Sequence, residues 1–161
     1  MSSYRLVIGI IIGIILSFFT IFFFNMTEII NQIDQYVGSN TIKAAALLVG
    51  ANFNFDLISF ITGTPTILGF FAPELLAWIF IGFISGAIAK GLKRGIIASL
   101  LVVVVVILIW IILSIISGED LMALFQGTQL FETLGGIISG FIGAFIGGLF
   151  GGVVSGPYEE L

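Results

Sequence analysis

The chain has no cysteine and no histidine. Without cysteine there is no disulfide, no thiolate nucleophile and no thiolate ligand for zinc or an iron–sulfur cluster. Without histidine the usual haem axial ligand, the commonest metal ligand and the commonest general base are missing together. Charge is scarce as well. Asp, Glu, Lys and Arg make up 9% of the 161 residues, against about 25% in an average soluble domain. Five Lys and Arg in total make no basic patch of the kind that holds nucleic acid. Serines are present at 85, 99, 114 and 139, but none is accompanied by a base. These absences point away from an enzyme. No catalytic, cofactor-binding or metal-binding residue is expected, and no cofactor.

Apolar residues account for 59% of the chain. Such a chain cannot cover its own surface with polar groups, so lipid is a better solvent for it than water. In lipid every backbone N–H and C=O must be paired internally, which favours helices. The expected fold is all-α: an integral membrane protein forming one domain over 1–161. Four transmembrane helices are expected, at about 6–24, 73–91, 96–116 and 131–154, with short interfacial helices and the lipid bilayer as partner.

The first run, Leu6 to Phe24, is interrupted only by Ser17 and Thr20. It is long for the apolar part of a signal peptide, and Phe22-Phe23-Phe24-Asn25-Met26 lacks the small residues that cleavage requires. It is read as a permanent span. From Met26 to Val37, Ile29, Ile30 and Ile33 recur at helical spacing while Glu28, Asn31, Gln32, Asp34 and Gln35 take the other side, the pattern of an amphipathic helix. Gly38 suits a helix stop, and Thr41 to Gly50 a short alanine-rich helix. Asn52, Asn54, Asp56, Gly63 and Pro65 interrupt the next stretch, so no clean span is expected between 41 and 69. That segment is either re-entrant or surface-lying.

Ala72-Pro73-Glu74 is a helix start: proline fits the first helical position, and a carboxylate suits the positive end of the dipole. Trp78 lies near the entrance of this helix and Lys90 at its exit. The run Val102 to Val106 has strand-forming residues, but about 20 apolar residues without a turn exceed an ordinary strand. After Ser117-Gly118-Glu119-Asp120, residues Leu121, Met122, Leu124 and Phe125 suggest another short amphipathic piece. Gly156-Pro157 closes the last span before the acidic tail Tyr158-Glu159-Glu160-Leu161.

Lysine and arginine in short loops mark the cytoplasmic side. Four spans place Arg5, Lys90, Lys93 and Arg94 together there and leave only Lys43 outside. Both termini are then cytoplasmic, and residues 25–72 form an outer-side loop. A fifth span at 41–62 would move the Lys90–Arg94 loop outside, against the charge bias. Gly82-Phe83-Ile84-Ser85-Gly86 echoes Gly140-Phe141-Ile142-Gly143, through internal duplication or through shared composition.

The last span carries the distinctive pattern. Gly136, Gly140, Ala144, Gly148 and Gly152 recur every fourth residue, and Gly143, Gly147 and Gly151 form a row beside them. One face of this helix is nearly bare backbone. Because helices in lipid gain nothing from hydrophobicity on associating, such a face suggests close backbone approach. Gly82 and Gly86 repeat the pattern on a smaller scale. The readings are packing within a four-helix bundle, self-association into a homo-oligomer, packing on a partner membrane subunit, or a pore lined by glycine backbone. Glu74 is the acidic residue nearest the interior of a span. It is read as a first-turn interfacial carboxylate, with an ion site as the alternative. Asp56 and Glu132 are read as interfacial or solvated.

The stretch Leu76-Ala77-Trp78-Ile79-Phe80-Ile81-Gly82-Phe83-Ile84-Ser85-Gly86, followed by Lys90-Gly91 and Lys93-Arg94-Gly95, resembles small, uncharacterised archaeal four-span membrane proteins with a basic turn and glycine-rich helices. The resemblance covers the second half of the chain. It implies membrane residence and a helical fold pattern, and no activity. The leading expectation is a structural or accessory membrane protein, as a subunit of a larger complex. The alternative is a small channel or transporter for an ion or small solute, which would need polar groups near the midplane.

Overall fold

A chain with so few groups to pair its backbone forms helices because each helix closes its own hydrogen bonds. The computed structural model describes residues 3–63, 65–118, 120 and 126–157, and no strand occurs among them. The helices are α1 (Ser3–Phe24), α2 (Met26–Val37), α3 (Thr41–Gly50), α4 (Leu57–Thr62), α5 (Ile67–Phe70), α6 (Pro73–Ala89), α7 (Leu92–Ser117) and α8 (Gly127–Val154), with a 3-10 turn over Ala51–Phe53. The expected amphipathic piece at 121–125 and the acidic tail at 158–161 lie outside the described residues.

Four stretches are long and apolar enough to cross a membrane by length and composition: Tyr4–Phe24, Thr41–Thr62, Leu92–Ser117 and Gln129–Val154. Three coincide with expected spans. The fourth does not. The span expected at 73–91 is the 17-residue helix α6, roughly 26 Å long and at the short end of what a bilayer accepts. Thr41–Thr62, expected to hold no span, is apolar enough because its polar residues are spaced among Ala, Leu, Ile and Phe. It is not one helix, however, since residues 54–56 are non-helical between the 3-10 turn and α4.

Helices α1, α6, α7 and α8 pack side by side, and α6 touches all three of the others. Gly9 of α1 lies against Ser85 and Ala89 near the end of α6, while Ile21 clusters with Ala77 near its start. The two helices are therefore antiparallel. Helices α6 and α8 instead run parallel: Gly143 faces Leu75 and Trp78, and Gly151 faces Phe83 and Ala87. One end of the bundle carries Arg5 and the Lys90–Arg94 turn. The far end carries the close of α1 and α7 and the start of α6 and α8. The turn at the basic end is sharp, with Lys90 and Gly91 at φ values of 57° and 89°. Lys90 is the one non-glycine residue with positive φ among the described residues.

The glycine-rich face of α8 lies on α6 and α7 of the same chain. A methyl group built on Gly147 would collide with Ile79 O, and one on Gly151 with Phe83 O. Across the same contact, a methyl on Gly82 would stand 2.6 Å from Ala144 O, and one on Gly86 2.7 Å from Gly148 O. The neighbouring row meets α7: Gly148 abuts Ser99, and a methyl on Gly152 would be 2.8 Å from Gly91 O at the start of that helix. Gly140 faces Phe53 and Trp78, and Gly136 lies against Phe53 O. At Gly147, Gly151 and Gly152 backbone thus meets backbone, whereas Gly140 and Gly148 make room for the side chains of Phe53, Trp78 and Ser99.

Replacing Gly147 by leucine should therefore destabilise the protein by about 2 kcal/mol or more, the overpacking range. Leu149→Ala, off the glycine rows, should cost less than half as much. Gly38→Ala is the control, because nothing lies within 4 Å of its added methyl. Thermal melting of the three variants in one detergent checks the ranking, and equal losses for the first two would rule out the contact.

Candidate functional site at the buried turn

Segment 41–62 enters the bundle from the far end and does not reach the basic end. The Asn40 side chain caps α3 by accepting from Lys43 N at 3.0 Å, and its Nδ2 donates to Ser117 O at 3.3 Å. The start of α3 is thereby tied to the end of α7. Small residues on α3 let it lie close to α7, with Ala44, Ala46, Val49 and Gly50 buried. At its other end a methyl on Gly50 would stand 2.6 Å from Nε1 of Trp110. Trp110 is about two turns from Ser117, so α3 descends roughly 10 Å into the bundle. Another 27 Å or so of α7 separates that level from Leu92.

The chain turns at this depth. Asn52, 1% exposed, donates through Nδ2 to Ser17 O at 3.0 Å and to Val49 O at 3.1 Å. Its backbone carbonyl accepts from Trp78 Nε1 at 2.8 Å. The Phe53 ring lies between two tryptophans, 5.6 Å from Trp110 in a stacked arrangement and 5.3 Å from Trp78 in a tilted one. Asp56 then caps α4, accepting from Ile58 N at 2.9 Å and Ser59 N at 3.1 Å, and from the Ser59 hydroxyl. Gly135 and Gly136 of α8 leave room for Asp56 and Phe53 O. From α4 the chain returns to the far end, where Pro73 starts α6. Non-helical backbone at membrane depth must be buried in protein or line a wet cavity. The turn is packed on its inner side and borders a cleft of about 270 Å3 whose lining includes Gly50, Asn54, Trp110, Gln129, Glu132 and Thr133.

Trp78 lies near the start of α6, as expected, and is fully buried at the base of the turn. Its indole N–H is satisfied by a turn carbonyl that comes from distant sequence. Asp56 is a half-buried cap held against α8 rather than a solvated carboxylate. Glu132 is exposed and lines the cleft, in keeping with a wetted position. Glu74 stands in the first turn of α6 behind Pro73, as expected, with 9% exposure. No group of three or more Asp or Glu side chains suited to holding a metal ion occurs among the described residues. Sequence reasoning did not mark Asn52, Phe53 and Trp110 as a site. The available signal was polar residues at 52, 54 and 56 inside an otherwise apolar stretch, which marks backbone turning within the bundle as readily as it marks a surface loop.

No protein-family model, curated protein or solved structure matches this chain.

Trp78→Phe should keep the ring packing but leave the buried Asn52 carbonyl without its donor, at a cost of about 1–3 kcal/mol. Trp110→Phe, which keeps the stacked ring beside Phe53, should cost less. Denaturation followed in detergent would measure both. A smaller loss at Trp78 than at Trp110 would contradict the assigned hydrogen bond.

Proposed function

We propose that the protein is a non-enzymatic structural or accessory protein of a cell membrane, with both termini cytoplasmic, acting within a larger membrane complex. The observation that carries this reading is the filling of the bundle between the turn and the basic end. Ile81, Val102, Val103, Val106 and Ala144 are all fully buried there, and α6 and α8 meet at backbone distance. A transport path needs a run of polar groups through that depth, and among these aliphatic side chains the buried polar ones are the single hydroxyls of Ser85 and Ser99. Bulky apolar residues such as Ile11, Ile15, Phe19, Leu108 and Ile112 are exposed on the outside of the bundle, facing lipid or a partner helix.

Orientation follows from charge. Arg5, Lys90, Lys93 and Arg94 share one end, and a re-entrant 41–62 segment keeps four crossings, so the positive-inside rule puts that end in the cytoplasm. A second reading, a small channel or transporter, is favoured by the polar cleft beside Asn54, Gln129, Glu132 and Thr133. Under that reading the cleft is an outer vestibule.

With no native cysteine, single cysteines report topology directly. In intact cells an impermeant thiol reagent should label Ser39→Cys and Thr62→Cys and spare Ser3→Cys. Labelling of Ser39 and Thr62 from opposite sides would make the segment a true span. Purified protein in phosphatidylcholine vesicles should pass no more protons or potassium ions under an imposed gradient than empty vesicles. A flux abolished by Glu132→Gln would overturn the structural reading in favour of the transporter.

A further inference from the structure

At the basic end, the α6–α7 turn and the end of α8 enclose a cleft of about 500 Å3, lined among others by Lys90, Leu92, Lys93, Arg94, Val153 and Pro157. Three of the five cationic residues of the chain thus border one cleft. Gly152 fits against Gly91 O and the Leu92 Cα, which brings the end of α8 against the turn, and Gly156, at φ 77°, lines the cleft beside Pro157. Lys93 is exposed, and Lys90 and Arg94 are half-buried. Beside these charges Leu92 and Val153 are 47% and 58% exposed, so one wall is cationic and the other apolar.

We propose that this cleft binds the phosphate-bearing headgroup of an anionic phospholipid, with the start of an acyl chain against Leu92 and Val153. The inference rests on membrane residence with the basic end at the cytoplasmic face and not on the structural or transport role, so it stands or falls independently of that choice. The shared chemistry is a phosphate oxyanion, which lysine meets as a point charge and arginine as a planar fork. A free phosphate would use the cations and leave the apolar wall idle, whereas a lipid uses both. The location agrees: basic pockets between transmembrane helices at the cytoplasmic face are where anionic headgroups lodge.

The test uses the whole protein in a neutral detergent, with phosphatidylglycerol or phosphatidylcholine of the same acyl chains added singly. Binding is read by native mass spectrometry. Phosphatidylglycerol should bind in preference to phosphatidylcholine. Each basic residue near a headgroup contributes roughly a five-fold gain, so Lys90→Gln/Lys93→Gln should weaken phosphatidylglycerol binding about 30-fold. Lys43→Gln, at the far end, should leave it unchanged. The double variant should melt like the parent without added lipid, and if it does not, Lys93→Gln alone, at an exposed position, should still give its five-fold loss. Equal binding of the two lipids would overturn the proposal. So would equal losses for Lys43 and Lys93 variants, which would indicate diffuse attraction rather than a site. Displacement of phosphatidylglycerol by millimolar inorganic phosphate would assign the cleft to a free anion and overturn it too.

Discussion

The distance between α6 and α8 governs the rest of the structure. In lipid two helices gain nothing by hiding apolar side chains from their surroundings, so attraction must come from dense contact. Missing side chains at Gly82, Gly86, Gly147, Gly148 and Gly151 bring carbonyls and α-carbons of the two helices together. That approach makes room for α1 and α7 to close on the same pair. Gly9 admits Ser85 O, Gly13 admits Val102 and Ser85, and Gly95 admits Gly148 and Gly152. Each helix contributes glycine at the place where it meets another, so the bundle is narrow in its basic half.

In the far half the 41–62 segment lies among the helices, against Gly135, Gly136 and Gly140 of α8. Its polar backbone has to be paired inside the protein. Trp78 supplies a donor to Asn52 O, Asn52 supplies donors to Ser17 O and Val49 O, and Asp56 takes the N–H groups that begin α4. Phe53 then plugs the space between Trp78 and Trp110. The tight half and the plugged half depend on one another. Gly136 and Gly140 on α8 are the positions where the helix passes from contacting α6 to contacting the turn.

Much of this was legible in the residues. The bounds of α2 and α3 follow from isoleucine spacing and from Gly38 and Asn40, and the start of α6 follows from Pro73. The valine run of α7 stays helical because its length outweighs its strand propensity. Charge alone placed the Lys90–Arg94 turn opposite the 25–72 region. What could not be read was the depth of the 41–62 segment. Asn52, Asn54 and Asp56 have the same identities in a wetted loop as in a buried turn. Only the partners, Ser17 and Trp78 from other helices, distinguish the two, and such pairings leave no local pattern. The burial of Trp78 was hidden for the same reason: an indole near a helix start suits an interface unless another segment comes in to accept its N–H.

The glycine rows also bear on what the molecule can meet. A bare helix face invites self-association when it looks outward, but here it is spent on α6, α7 and the turn. The face that α8 turns outward carries Phe131, Ile138, Ile142, Phe145 and Phe150, and the outer row of α1 carries Ile11, Ile15 and Phe19. A partner helix approaching these surfaces meets branched and aromatic side chains, which hold backbones apart and match lipid tails about as well as they match protein. Contacts of that kind discriminate weakly in the hydrocarbon layer. A partner subunit of the kind proposed would therefore have to be recognised at the two ends of the bundle, where charge and polar groups are concentrated: the cationic turn on one side, and Asp34, Glu132 and the entry of the 41–62 segment on the other. The division that the proposed orientation rests on leaves the chain's distinguishing chemistry at the two ends of the bundle and its packing in between.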